Sequence, residues 1–453
     1  MATSQPATLT LSSTLALCLA LIGAASMLYY HQGLFMPRVR AVRAARGLGH
    51  GYAFGNDFYQ VWITSREWLR NGRDPYSPEM TREIQTGLFG RPLDPNRPSD
   101  PIDRRVFPYP AFTGLLFWPA AEFPFSPVRA LVVCLLAALT VSSVMLWLRA
   151  LHWRIGGKWI AVILLLTLSS YPALEGLYSG QLGLLVGFLL AAAIVALQRS
   201  RFLLAGFLLA LTTIKPQVTA LVIFYLLLWS LHLWRERGRL VIGFFSTLAL
   251  LIAAALVAFP HWIQSWTHIV LAARHYTQPP LVTEVLTSPL GPRLAGPATI
   301  VLKATFIVSA VFVAWRHRTA AASSRAFWIT LSLLLTITTI TVLQGLAIYD
   351  HLILLPGILL LVRYRGELAN AGPVPRILLV VGALLLFWPW NTAFALILLR
   401  PWIAPPIFNS TAIFSLPIRN AASLPFAVLV LLTWMWRVSP TRSPEGVEER
   451  SCA

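Results

Sequence analysis

Ionisable side chains are scarce in this chain, and a few of them stand where they could do chemistry. The stretch GNDFYQVWITSREWLRNGRDPYSPE, residues 55–79, gathers carboxylates, arginines and a proline turn in otherwise lipid-like sequence, so it must lie in water or in a polar cleft. Within it Phe58, Val61, Trp62 and Leu69 recur at helical spacing, Arg66, Glu67 and Arg70 fall on other faces, and Asn71-Gly72 ends the run. The pattern predicts an amphipathic helix resting on a membrane surface, with Asp57 in its first turn. A carboxylate just beyond the lipid is placed to take a proton as a general base. Asn56-Asp57 equally suits a helix cap, where the dipole favours negative charge.

Lys215, in IKPQ at the end of an apolar run, stands out among the cations that could hold an anion. A lysine truly central in a bilayer costs about 2.5–3.5 kcal/mol unless it is paired or wet, and Pro216 breaks the helix there, exposing backbone groups that need a lined cavity. The alternative is a lysine snorkelling to the interface. EGLYSGQLG, residues 175–183, offers Glu175 and Gln181 as hydrogen-bonding groups or as a plain polar turn, with Gly180 allowing the chain to turn tightly. YDH, residues 349–351, supplies Asp350 and His351, either as ligands of a substrate or as a satisfied interfacial pair. RHY places Arg274 and His275 in a segment with His261 and His268 whose spacing is not that of a metal site. Arg38, Arg40, Arg43 and Arg46 form a basic run, either a solvated patch or a site that attracts anions.

The elements that must position these residues are membrane helices. With 57% hydrophobic residues, 12% charged and a mean hydropathy of +0.68, the chain carries more apolar surface than a soluble fold of 453 residues could hide. The formal charge of +19 resides mostly in arginine clusters between apolar runs, which reads as topology signal rather than as a nucleic-acid stripe. Cys18, Cys134 and Cys452 have no CxxC spacing and imply neither a metal site nor a disulfide framework. Runs able to cross a bilayer fall near 9–30, 127–148, 158–174, 181–197, 202–215, 216–234, 240–259, 300–315, 326–348, 350–363, 376–397 and 421–437, about twelve in all. The first is expected to be retained rather than cleaved.

Arginine-bearing loops at 149–158, 199–201, 235–239, 316–325 and 363–376 alternate with charge-poor ones. Setting them all inside puts both termini in the cytoplasm and residues 31–108 outside, as a large first loop. That arrangement requires residues 107–125, rich in proline, to be re-entrant or surface-lying. Arg38 to Arg46 then lie outside, against the usual bias. The expected fold is an all-α polytopic membrane protein, one domain over 1–437, with a disordered cytoplasmic tail at 438–453.

The order of DFYQVWITSREWLRNGRDPY in the outer loop, then YPAF, GLYSGQLGLL and AGFLLALTTIKPQ, resembles glycosyltransferase family 87, the polyprenol-phosphate-mannose-dependent transferases of the GT-C superfamily. The likeness covers about residues 9–235. It implies a GT-C-like bundle in the cell (inner) membrane, with its active site on the outer face. There a hexose, most readily mannose, would pass from a polyprenyl-phosphate donor to a glycan, lipid or protein acceptor, with inversion. Asp57 matches the family's catalytic base. The residues expected to meet the donor phosphate are Lys215, Arg274 and His275; those expected to meet substrate are Tyr59, Tyr76, Tyr109, Glu175, Gln181, Gln217, Asp350 and His351.

Trp62, Trp68, Tyr76, Tyr109 and Trp118 could stack on sugar rings, although such side chains also gather at membrane interfaces for physical reasons. Asp74, in RDPY, is expected to shape its loop. No Gly-rich phosphate loop is present, in keeping with a donor that is not a nucleotide. Some members of the superfamily use a divalent cation, which leaves one open as a cofactor here. Nucleic acid is not an expected partner; membrane lipids are. The competing function is a transporter or lipid flippase without chemistry. A transporter would show interrupted helices paired between two halves, whereas the polar residues here gather in the first outer loop and at outer helix ends.

Overall fold

The computed structural model describes residues 12–49, 51–273, 275–344 and 348–438; Arg274 and the tail from 439 onward lie outside them. No strand forms among these residues, apart from one isolated bridge between Pro280 and Gln344. Six helices are long and apolar enough to cross a membrane: Ser13–Ala45, Phe125–Ala150, Trp234–Ala258, Arg293–Arg316, Pro373–Leu399 and Leu416–Val438. The pair Gly157–Ser169 and Tyr171–Ser179 makes a seventh crossing if counted as one, bent by 57°. Ser170 sets that bend, with extended backbone, its side chain capping Ala173 and Pro172 in the following first turn.

The twelve apolar runs fall largely on helices, yet half of them are too short or too broken to span alone. Leu182–Gln198 and Arg325–Thr341 have 17 residues each, about 25 Å at 1.5 Å per residue, against a hydrocarbon core of about 30 Å. Their surroundings explain this. Every residue from Phe327 to Thr341 is buried, so the helix is solvated by protein rather than lipid. The hydroxyls of Thr336, Thr338, Thr339 and Thr341 donate to carbonyls four residues back at 2.7–2.9 Å, which satisfies them without water. The run expected at 350–363 is a 3-10 turn, Ile348–Leu354, followed by the short helix Leu355–Arg363.

Two expectations for the first loop change. The first helix does not end near residue 30 but continues through a π-helical turn, Tyr30–Phe35, into Met36–Ala45. Pro37, which has no N–H to donate, sits just after that turn and accounts for the local widening. Arg38 to Arg43 therefore ride on a helix rather than in a loop, and Arg46 caps its end. The Asn56–Asn71 helix is not surface-lying: residues 57–65 are all buried. Ala111–Ala121 covers it, with Gly114 allowing close approach to Trp68. At 11 residues, about 17 Å, Ala111–Ala121 is too short to span, as the prolines at 107–125 predict.

Candidate functional site

The site assembles where the start of the Asn56–Asn71 helix meets the Ser179–Gln181 turn. Gly55 opens that helix in the left-handed region (φ 73°) and donates its N–H to the Tyr178 carbonyl at 2.7 Å. Gly180 is also left-handed (φ 71°), and a Cβ there would lie 2.9 Å from that of Phe58. The two glycines let the segments approach until Gln181 Nε2 donates to Asp57 Oδ2 at 2.6 Å. Arg105 Nη1 donates to Asp57 Oδ1 at 2.7 Å. Both oxygens of Asp57 are thus directed at other elements rather than spent on the helix that carries it.

Gln181 faces two ways, for its Oε1 accepts from Lys215 Nζ at 3.1 Å. Lys215 Nζ also donates to both oxygens of Asp350, at 2.7 and 2.8 Å, and lies 4.9 Å from the centre of the Tyr349 ring. The helix break expected at IKPQ is present, with Lys215 in non-helical backbone (φ −136°, ψ 71°) between Thr212–Ile214 and Pro216–His232. A continuous chain results: Arg105, Asp57, Gln181, Lys215, Asp350. Its two cations and two carboxylates balance, which is how charge survives in a water-poor interior. Burial pushes the Asp57 carboxyl above the ordinary aspartate range, against the opposing pull of Arg105, Gln181 and Lys215.

Four residues expected from the sequence, Asp57, Gln181, Lys215 and Asp350, are therefore brought together. Tyr109 is buried beside them, its phenol held protonated by burial and by the charges of Asp57 and Asp350. Tyr76 supports it, donating its hydroxyl to the Tyr109 carbonyl at 2.8 Å. His351 is buried with Nε2 unpartnered. The others lie elsewhere. Glu175 is 3.2 Å from His31 Nε2. Tyr59 packs among Tyr52, Trp62 and Phe125 with its hydroxyl against Gly87, so its ring is not free to stack on a ligand. Gln217 and His275 are exposed and outside the chain of contacts; Arg274 is not described.

Arg105 is the residue that sequence reasoning missed. It lies in the irregular segment before the Ala111–Ala121 helix, at φ 51°, a left-handed conformation that costs a non-glycine residue about 1–3 kcal/mol. Asp103 holds it there, accepting the Arg105 N–H at 3.0 Å and approaching its Nε at 3.3 Å. The only sequence signal was an aspartate two residues earlier, the spacing of an Asx-turn.

Two cavities flank this centre. One, of about 920 Å³, is largely apolar and runs between the Gly157–Ser169, Leu355–Arg363 and Pro373–Leu399 helices; Tyr171 and His351 line it together with Trp153 and Arg365. The other, of about 340 Å³, is lined by Arg40, Arg43, Arg46 and Arg105, with Asp103, Glu175 and Tyr178. Tyr171 lines both. No three His, Cys, Asp or Glu side chains converge as metal ligands among the described residues.

Residues 107–344, just over half of the chain, match the sequence profile of glycosyltransferase family 87. No curated protein and no solved structure matches.

Proposed function

The chain belongs to glycosyltransferase family 87, and on that premise we propose that it transfers a hexose, most readily mannose, from a polyprenyl-phosphate donor to an acceptor hydroxyl. The observation that carries this reading is the position of Asp57. This buried carboxylate is bonded to Arg105, which lines the smaller, basic cavity, and is linked through Gln181 and Lys215 to Asp350, whose neighbour His351 lines the larger, apolar one. An amphiphile with an apolar chain and an anionic head fits that pairing; a nucleotide sugar leaves the larger cavity without a purpose.

In the proposed reaction the acceptor oxygen attacks the anomeric carbon from the face opposite the phosphate. Its proton passes to Asp57, the bond from carbon to phosphate oxygen breaks, and the electron pair leaves with the polyprenyl phosphate, inverting the carbon. Burial raises the proton affinity of Asp57, so it holds that proton better than an exposed aspartate would. Lys215 faces the departing phosphate once one of its two Asp350 contacts opens, and Gln181 couples that movement to the base. Tyr109, Asp350 and His351 are the proposed partners of substrate hydroxyls. The arginine-rich loops support an orientation with this centre on the outer face of the cell membrane.

The test is transfer of radiolabelled mannose from polyprenyl-phosphate mannose in proteoliposomes. Wild type transfers, while folded Asp57→Asn and Lys215→Ala are each impaired. Undiminished transfer by both variants removes these roles, and no transfer from any polyprenyl donor returns the transport reading.

A further inference from the structure

The arginines of the first helix are unused by the reaction just described. Arg40, Arg43 and Arg46 line the smaller cavity together with Arg105. The cavity's carboxylates are already engaged: Asp103 holds Arg105 on the same wall, and Glu175 is paired with His31. Among the described residues Arg40 has one side-chain hydrogen bond, to the Tyr178 hydroxyl at 3.4 Å, and Arg43 one, to the Leu88 carbonyl, with its guanidinium over the Phe89 ring. The Arg46 side chain has no hydrogen bond among the described residues. Arg43 Nε and Arg38 Nη1 are buried without a partner, and so is Asn56 Oδ1 on the cavity wall.

Three guanidiniums converge on one cavity whose two carboxylates, on Asp103 and Glu175, are engaged by other residues and pair with none of the three, an arrangement that favours the entry of an anion. Guanidinium donors in a fork match phosphate oxygens, and the buried unpartnered Nε is a donor already desolvated for one. Asn56, next to Asp57, forms part of the wall, and Arg105 touches Asp57 directly. An anion held here therefore lies beside the reacting centre.

We infer that this cavity is a phosphate subsite, built by Arg40, Arg43 and Arg46 and distinct from the Lys215–Asp350 pair. It takes the phosphate of a phosphomonoester or phosphodiester, carried either by the donor or by an anionic acceptor. The inference rests on the glycosyltransferase reading only for what the phosphate belongs to; the binding itself is independent of transfer.

The experiment is thermal unfolding of the full chain in neutral detergent, titrated with inorganic phosphate against chloride of equal ionic strength. Parallel arms use sn-glycerol 3-phosphate, polyprenyl phosphate and neutral polyprenol. Phosphate is expected to stabilise wild type and to lose about tenfold or more in apparent affinity for Arg40→Gln/Arg43→Gln. Arg46→Gln, which removes no hydrogen bond from the fold, is expected to weaken it in the same direction. If the preference for polyprenyl phosphate over polyprenol vanishes in these variants, the donor supplies the phosphate. If that preference survives while glycerol phosphate loses affinity, the acceptor does. Equal phosphate affinity in wild type and variants, or no effect of phosphate on wild type, overturns the proposal. Intact phosphate binding without sugar transfer overturns the enzymatic reading and leaves this site standing.

Discussion

Asp57 is held by two opposing influences, and its titration separates them. Burial raises its carboxyl, while Arg105 is the strongest of the groups that lower it. A general base must be ionised, so transfer falls as pH drops through the Asp57 pKa, and the acidic limb lies above the ordinary aspartate value. Arg105→Ala removes the lowering charge and moves that limb to still higher pH, whereas Arg105→Lys moves it less; superimposable pH–rate profiles for wild type and Arg105→Ala would mean that another group is the base. Asp57→Asn should cost about 10²–10⁴ in rate with the fold retained. Lys215 gives a different signature because its partner is also buried. Lys215→Ala strands the Asp350 carboxylate at a cost of about 3–5 kcal/mol, and removing both charges restores much of that loss. The check is a thermal-unfolding comparison of the two single variants and Lys215→Ala/Asp350→Ala.

Elements matter through how closely they approach, and the Leu182–Gln198 helix shows it within one turn. A Cβ on Gly183 would lie 2.4 Å from Asp350 Oδ1 and 3.6 Å from Lys215 Nζ, whereas one on Gly187 meets nothing within 4 Å. Gly183→Ala should therefore disturb the ion pair and lower transfer by about tenfold or more. Gly187→Ala should leave transfer unchanged and stabilise the helix by about 0.5–1 kcal/mol; equal activity in the two variants would deny the ion pair any part in turnover. The same reasoning shows what the sequence could reveal. Gln181, Lys215 and Asp350 were legible because each stands at the edge of an apolar run, where polarity is expensive; Asp57, in the polar outer loop, was legible from its place in the first turn of an amphipathic helix and from the family resemblance. Arg105 was not, since it lies in a polar, aperiodic segment where an arginine costs nothing and carries no pattern. The amphipathic pattern of residues 56–71 was legible too, but which partner covers its apolar face depends on Ala111–Ala121 folding back, a long-range contact that no local periodicity encodes. Likewise the continuation of the first helix past Tyr30 turns on the π-helical turn ahead of Pro37, which a run of hydropathy reports as an end.

At the scale of the whole molecule, lipid-facing and protein-facing helices have separate tasks. The long helices carry large exposed apolar side chains such as Leu131, Leu250, Val257 and Ile300, the surface a bilayer would solvate. The shorter Leu182–Gln198 and Arg325–Thr341 helices are buried inside and hold the polar chain in place. The 920 Å³ cavity lies to one side of these buried helices, among the Gly157–Ser169, Leu355–Arg363 and Pro373–Leu399 helices. A donor tail moving into it from the bilayer exchanges one hydrocarbon environment for another, so the cavity adds little affinity; what it can contribute is the position of the attached head group. Narrowing it at Ile358, which lines the cavity on the Leu355–Arg363 helix, should therefore depend on donor length. With a long polyprenyl-phosphate mannose, Ile358→Trp should lower kcat/KM by about tenfold to a hundredfold, the range expected when a reacting centre is misplaced by about 1 Å. With a donor of only two isoprene units, too short to fill the cavity, the same variant should behave as wild type. An equal loss for both donors would mean that the substitution damages the centre itself, and no loss for either would place the tail outside this cavity.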